Sequence, residues 1–268
     1  MHLYDSTGRP RHYVPYAKKR GTRASTKRDA RKHGWYPSFS AIKEVIHNGP
    51  LERWKINRHI DACCETSRFA GEDIDTYKAR VRKAAMQPSK DATDFGSIMH
   101  NHLEQWNRDQ AYQITDCSFA SITIPALEQW KRWVDQNVET IIEAEETITV
   151  PYVGLGGTLD GMVQLKTKEP CVVDFKTQAV KSEPSFYDNF GWQLATYAMM
   201  KKIKLSLATM PRIISFVIDS NGVFPLTEKI YTHEEQRKCW RVADLARLLY
   251  FETEDWYPDG VCRDLIPY

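Results

Sequence analysis

Asp174 and Lys176 stand two residues apart in the run Cys171-Val172-Val173-Asp174-Phe175-Lys176-Thr177, and Asp160 lies upstream in Gly156-Gly157-Thr158-Leu159-Asp160-Gly161-Met162-Val163. Alternation along a strand puts Asp174 and Lys176 on one side and Val173 and Phe175 on the other. A hairpin turning through Lys166 to Pro170 would bring Asp160 beside Asp174, so that two carboxylates and one ammonium converge. Carboxylate oxygens suit hard divalent cations such as Mg2+, and a site with few protein ligands leaves room for water and a phosphate oxygen. A lysine at its edge can orient the attacking water and stabilise charge building on the phosphorus oxygens. These parts fit phosphodiester hydrolysis. The competing reading is a cross-strand ion pair on a wet face. Against it, Val172, Val173 and Phe175 form an apolar run typical of a central strand, where a buried acid pair needs a metal or a partner.

Two further motifs flank the acids: Gly96-Ser97-Ile98-Met99-His100-Asn101-His102-Leu103-Glu104 before them and Gln193-Leu194-Ala195-Thr196-Tyr197 after them. In this order (histidine helix, acid hairpin, Asp-x-Lys strand, Gln-x-x-x-Tyr helix) the chain resembles the PD-(D/E)XK nuclease superfamily. Within it, the chain is similar to the RecB-like branch, which includes viral recombination exonucleases and the mitochondrial genome-maintenance exonuclease. The resemblance is close over Gly96 to Tyr197 and loose over Ser38 to Phe251.

The resemblance implies a restriction-endonuclease-like fold, a mixed central sheet flanked by helices with a helical N-terminal part. It makes Asp160, Asp174, the carbonyl of Phe175 and the ring of His100 ligands of Mg2+ or Mn2+, and Lys176 the catalytic lysine. Gln193 and Tyr197 would hold DNA near the site, their spacing of four placing both on one helical face. Glu104, one turn beyond His100, is a weaker candidate, with a solvated helix glutamate as its plain alternative. His100 could likewise be an ordinary hydrogen-bonded histidine, and Gln193 and Tyr197 an interface pair on a buried helix. The activity implied is a metal-dependent DNA exonuclease acting at DNA ends in recombination, repair or replication. The alternatives are a structure-specific endonuclease and a non-catalytic DNA-binding or assembly protein with the same fold.

Some relatives in that branch carry an iron–sulfur cluster on one cysteine before the core and three closely spaced ones behind it. Only Cys239 and Cys262 follow the core here, far apart, and no such cluster is expected. Six cysteines in 268 residues, two of them the adjacent Cys63 and Cys64, do not resemble a disulfide framework. No apolar run approaches the ~20 residues of a membrane span, and the first residues lack the apolar stretch of a signal peptide. Those features predict a cytoplasmic protein, in a bacterial host's cytoplasm if the source is viral.

Charge is unevenly distributed. Residues 1–34 hold ten Lys and Arg against Asp5 and Asp29, while the remaining 234 residues hold 27 basic and 33 acidic side chains. A basic arm on an acidic body suits phosphate contacts, with Arg20, Arg23, Lys27 and Arg28 as candidates for DNA binding. Tyr13, Tyr16, Trp35 and Tyr36 interleave with them and could stack on bases. A solubilising tail, or an arm gripping a recombination or replication partner protein, is the alternative.

The elements that must position these residues follow from periodicity. Helices are predicted from Pro37 with a Ser40 cap, over Leu51 to Cys64 after a break at Asn48-Gly49-Pro50, and over Thr76 to Met86, Phe95 to Trp106 and Ile124 to Val138. Ile141 to Val150 reads as the first strand, followed by the acid hairpin and a helix over Ser185 to Lys202. Ile213 to Asp219 and Val223 to Tyr231 read as a hairpin, and His233 to Phe251 as a closing helix. Gly154-Leu155-Gly156-Gly157 lacks the lysine of a phosphate loop and serves as a turn. The economical division is an arm, 1–34, free to move, and one nuclease domain, 35–268, with a helical lead-in to about 138 and a catalytic core over about 139–252.

Overall fold

The structure, a computed structural model, describes residues 2–17, 20–46, 49–115 and 118–268. Lys18, Lys19, Asn48 and Cys117 lie outside the described residues. The basic N-terminal segment is built into the fold instead of standing off as an arm. Strand β1 (Leu3–Tyr4) pairs antiparallel with β4 (Tyr36–Pro37), across β2 (Tyr13–Pro15), β3 (Thr22–Ala24) and helix α1 (Lys27–His33). Leu3 and Tyr4 are buried. Thr26 and Asp29 form a capping box on α1, and Gly34 ends it at φ 64, a left-handed conformation that glycine adopts without strain. A boundary at residue 34 therefore cuts through a paired unit.

Helix α2 (Phe39–Ile42) begins at Ser38, two residues before the expected cap, and the Ser38 side chain makes no capping bond. A 3-10 turn, Lys43–Val45, follows, then α3 (Gly49–Glu65). The two helices expected on either side of Pro88 are one, α4 (Ile74–Arg108), capped by Asp73. A proline inside a helix forfeits one backbone bond. The continuous helix is anchored at its far end, where Phe95, Met99, Leu103 and Trp106 are buried on one face. Helix α5 (Ala120–Asn137) likewise carries Pro125 inside it, one turn from its start.

The core is a five-stranded sheet in the order β5 (Val138–Val150), β6 (Leu155–Leu165), β7 (Pro170–Gln178), β8 (Arg212–Asp219), β9 (Thr227–Ile230). All neighbours are antiparallel except β7 and β8, which run parallel through α6 (Asp188–Lys204); α7 (His233–Thr253) follows β9. The fold is thus mixed α/β. Alternation along the strands sorts the apolar residues into two layers. Val173, Phe175 and Phe216 pack with Phe95, Met99, Leu103 and Trp130 of α4 and α5, whereas Ile148, Val172 and Ile213 pack with Leu194 and Met199 of α6 and Trp240 and Phe251 of α7. Among the described residues no helix is long and apolar enough to cross a membrane.

Candidate active site

The acid hairpin forms as its sequence requires, β6 and β7 pairing in register from Gln164 with Pro170 to Gly161 with Val173. One step further the ladder would set Asp160 opposite Asp174. The strands part there, and Asp160 Oδ2 accepts the backbone N–H of Phe175 at 2.8 Å. A carboxylate thus takes over a donor that the sheet no longer satisfies.

Asp174 is 3% exposed. Lys176 Nζ donates to its Oδ1 at 2.7 Å and lies equally near Oδ2, but only the first contact has hydrogen-bond geometry. Among the described residues Oδ2 accepts no hydrogen bond of good geometry and meets only the Lys176 ammonium, so it keeps capacity for a further partner. Burial, reinforced by the neighbouring Asp160 charge and only partly offset by Lys176, pushes the Asp174 carboxyl up to about 6. Burial acts on Asp160 in the same sense, yet His100, Lys176 and the Phe175 N–H outweigh it and hold Asp160 below the usual carboxylate range. Lys176 is raised, burial being overcome by the two aspartates.

His100 arrives from α4, its Nδ1 3.5 Å from Asp160 Oδ1. A Cβ on Gly96 would lie 3.0 Å from the Thr177 hydroxyl; glycine lets α4 close on the end of β7 and carries His100, one turn later, to Asp160. Burial disfavours the imidazolium, but Asp160 and Asp174 prevail and push its pKa up to about 9. Two acids and two cationic side chains therefore balance at the point where β6 and β7 diverge. Among the described residues, no three His, Cys, Asp or Glu side chains close on one point as a ready-made metal cage. Asp160 and His100 are paired with each other, and Asp174 with Lys176.

Glu104, the weaker candidate, pairs with Arg108 at 2.8 Å, as a solvated helix glutamate would. It also lines an open cleft of about 610 Å³ with His100, Asn101, Glu145 and Thr177. Glu145 escaped the sequence reading. It sits in β5 opposite Asp160, between the pairs Ala144 with Gly161 and Glu146 with Leu159, in a left-handed conformation at φ 49. Burial, with Asp160 and Glu104 nearby, pushes its carboxyl up to about 7. Its neighbours Glu143 and Glu146 are claimed by the fully buried Lys201 of α6, and only the strand register separates their role from that of Glu145.

Gln193 and Tyr197 share one face of α6, Gln193 Nε2 donating to the Tyr197 hydroxyl at 3.3 Å. Tyr197 is 4% exposed, and a Cβ on Gly157 would lie 2.5 Å from its ring. The phenol is thus enclosed by the fold, and of the pair Gln193 is the one that keeps exposed surface. His102 is buried with Nδ1 2.8 Å from the Tyr112 hydroxyl.

Of the basic residues expected to grip DNA, Arg23 is engaged by both oxygens of Asp29 at 2.7 and 2.8 Å, and Lys27 by Glu254. Each of those two already has a carboxylate partner. Arg20 and Arg28 are exposed, and no ion pair involves them among the described residues. Compared with known proteins, the chain matches no family model and no curated protein.

Proposed function

We propose that this protein is a divalent-metal-dependent deoxyribonuclease of the PD-(D/E)XK kind, in the RecB-like branch, and that it hydrolyses phosphodiester bonds at DNA ends. The observation that carries this reading is the meeting of Asp160, Asp174, Lys176 and His100 where β6 and β7 part, with one buried Asp174 oxygen that, among the described residues, accepts no well-formed hydrogen bond. That oxygen and the all-oxygen-plus-imidazole donor set suit Mg2+ or Mn2+, which Asp160, Asp174, the Phe175 carbonyl and His100 in its neutral form would hold, so that cation binding would release the His100 proton. When bound, the cation supplies Lewis-acid polarisation of phosphate and a more acidic water.

The chain's own groups perform the rest. Lys176, half-buried and held in its charged form by two aspartates, offers a fixed cation to the oxygens on which charge grows during attack. Asp160 is oriented by the Phe175 N–H, a backbone donor that stays in place when substrate arrives. Gln193 offers an amide at the edge, braced by Tyr197.

The test is digestion of end-labelled linear and closed circular DNA, single- and double-stranded, with Mg2+ or Mn2+ and with chelator. Linear DNA should be degraded and circular DNA spared. Cutting of circles would make the enzyme an endonuclease, and inertness toward every substrate with either metal would sink the nuclease reading.

A further inference from the structure

Lys43 lies in the 3-10 turn after α2. That turn is fixed beside the site: Phe39 and Ile42 are buried with Leu194 and Tyr197, and Ser38 bridges to Gly156 of β6. Lys43 is half-buried, yet among the described residues no ion pair or hydrogen bond of its ammonium is found. A partly buried cation without a partner is costly unless something supplies one. Its electrostatic neighbours are Lys176, which opposes its charge, and then the exposed Glu44 and the buried Asp174, which favour it. Asp174 is already occupied by Lys176, and Asp160 by His100. An anion is the missing partner, and a nucleic-acid strand, with one phosphate per nucleotide, brings more than one to a cleavage site.

We propose that Lys43 is a second phosphate-binding residue of this site, holding a non-bridging oxygen of a phosphodiester adjacent to the one that is cut. The assignment rests on the nuclease reading and adds to it a contact that fixes the register of the strand against Lys176. Lys43 then acts as a positioning group, its ammonium touching substrate but not the reacting phosphorus.

The test uses the full chain with Lys43→Met, which keeps the apolar stem and removes the charge, and Lys43→Arg, which keeps the charge. Substrates are oligonucleotides in which single linkages beside the cut are replaced by neutral methylphosphonates. On all-phosphate DNA, Lys43→Met should lose about tenfold in kcat/KM, the size expected of one charged hydrogen bond, and Lys43→Arg should recover most of it. At one neutral linkage wild type and Lys43→Met should become equal. In chelator, without cleavage, the slope of log affinity against log salt should fall by about one for Lys43→Met. Equal kcat/KM for wild type and Lys43→Met on all-phosphate DNA, or the same deficit at every neutral linkage, would overturn the proposal. So would loss of folding in Lys43→Met, which would assign the ammonium to the fold. If wild type cuts no DNA the nuclease reading fails by itself, and an unchanged salt slope in chelator then refutes the phosphate contact separately.

Discussion

Asp160 accepts the backbone N–H of Phe175 at 2.8 Å, one residue past the last β6–β7 ladder pair. This single bond aims one acid of the site by means of the strand that carries the other. The two carboxylates are therefore oriented by the sheet itself, and side chains on α4 and α6 adjust a geometry that the hairpin has already set.

Asp174→Asn and Lys176→Ala should each reduce cleavage by at least about a hundredfold, the cost of removing one preorganised electrostatic group, while DNA affinity in chelator changes little. Asp174→Asn keeps the volume of the side chain, so its melting temperature should stay near wild type. Single-turnover cleavage and filter binding check both halves. Normal turnover by either variant would remove these residues from the chemistry.

The pairing of His100 with Asp160 predicts a pH dependence of stability. The folded pKa of about 9 lies above the unfolded value of 6.5. The contribution is therefore complete below pH 6.5 and is lost as pH rises through 9. Allowing for partial exposure, metal-free wild type should lose roughly 2 kcal/mol more than His100→Gln between pH 7 and 9.5. Urea denaturation at the two pH values measures it. Parallel losses in the two proteins would show that the imidazole is not charged in the folded state.

Gly157→Ala places a Cβ 2.5 Å from the Tyr197 ring and should cost about 1–3 kcal/mol by overpacking. Displacing Tyr197 also removes the acceptor that braces Gln193, so cleavage should fall with stability. Tyr197→Ala in the same background should restore part of the stability and none of the activity. Thermal melts and cleavage rates of the three variants separate packing from positioning.

The N-terminal segment gives the fourth prediction. Deleting residues 1–34 strips β1 from β4 and uncovers core around Leu3 and Tyr4, so the truncated protein should melt well below wild type. Point changes are the sharper probe. Arg20→Ala with Arg28→Ala should flatten the salt dependence of DNA binding by about one charge each without altering the melt. Arg23→Ala should do the reverse, because its guanidinium is bound by Asp29. Identical salt slopes for wild type and the Arg20/Arg28 double variant would exclude this face from DNA contact.

The hairpin that joins Asp160 to Asp174 was legible in the sequence because strand alternation and a short polar turn are local properties, written into adjacent residues. The same holds for the face shared by Gln193 and Tyr197, for the helix bearing His100, and for the element order from α3 to α7. Apolar periodicity fixes these because each element must bury one face. The single helix through Pro88 was hidden, since local proline chemistry argues for a break and only the packing of Phe95, Met99, Leu103 and Trp106 holds the far end in line. The basic segment read as a loose arm because its strands are two or three residues long, too short to show a period, and are held by pairing, β1 with Tyr36–Pro37 and β2 with β3. Tertiary structure alone decided that Tyr197 lies buried under Gly157, that Glu145 faces the cleft while Glu143 and Glu146 meet Lys201, and that Lys43, without an ion pair among the described residues, stands beside Lys176, Glu44 and Asp174. Each depends on which distant segment arrives at a given face, and the free energy of that choice comes from long-range burial that no stretch of neighbouring residues records.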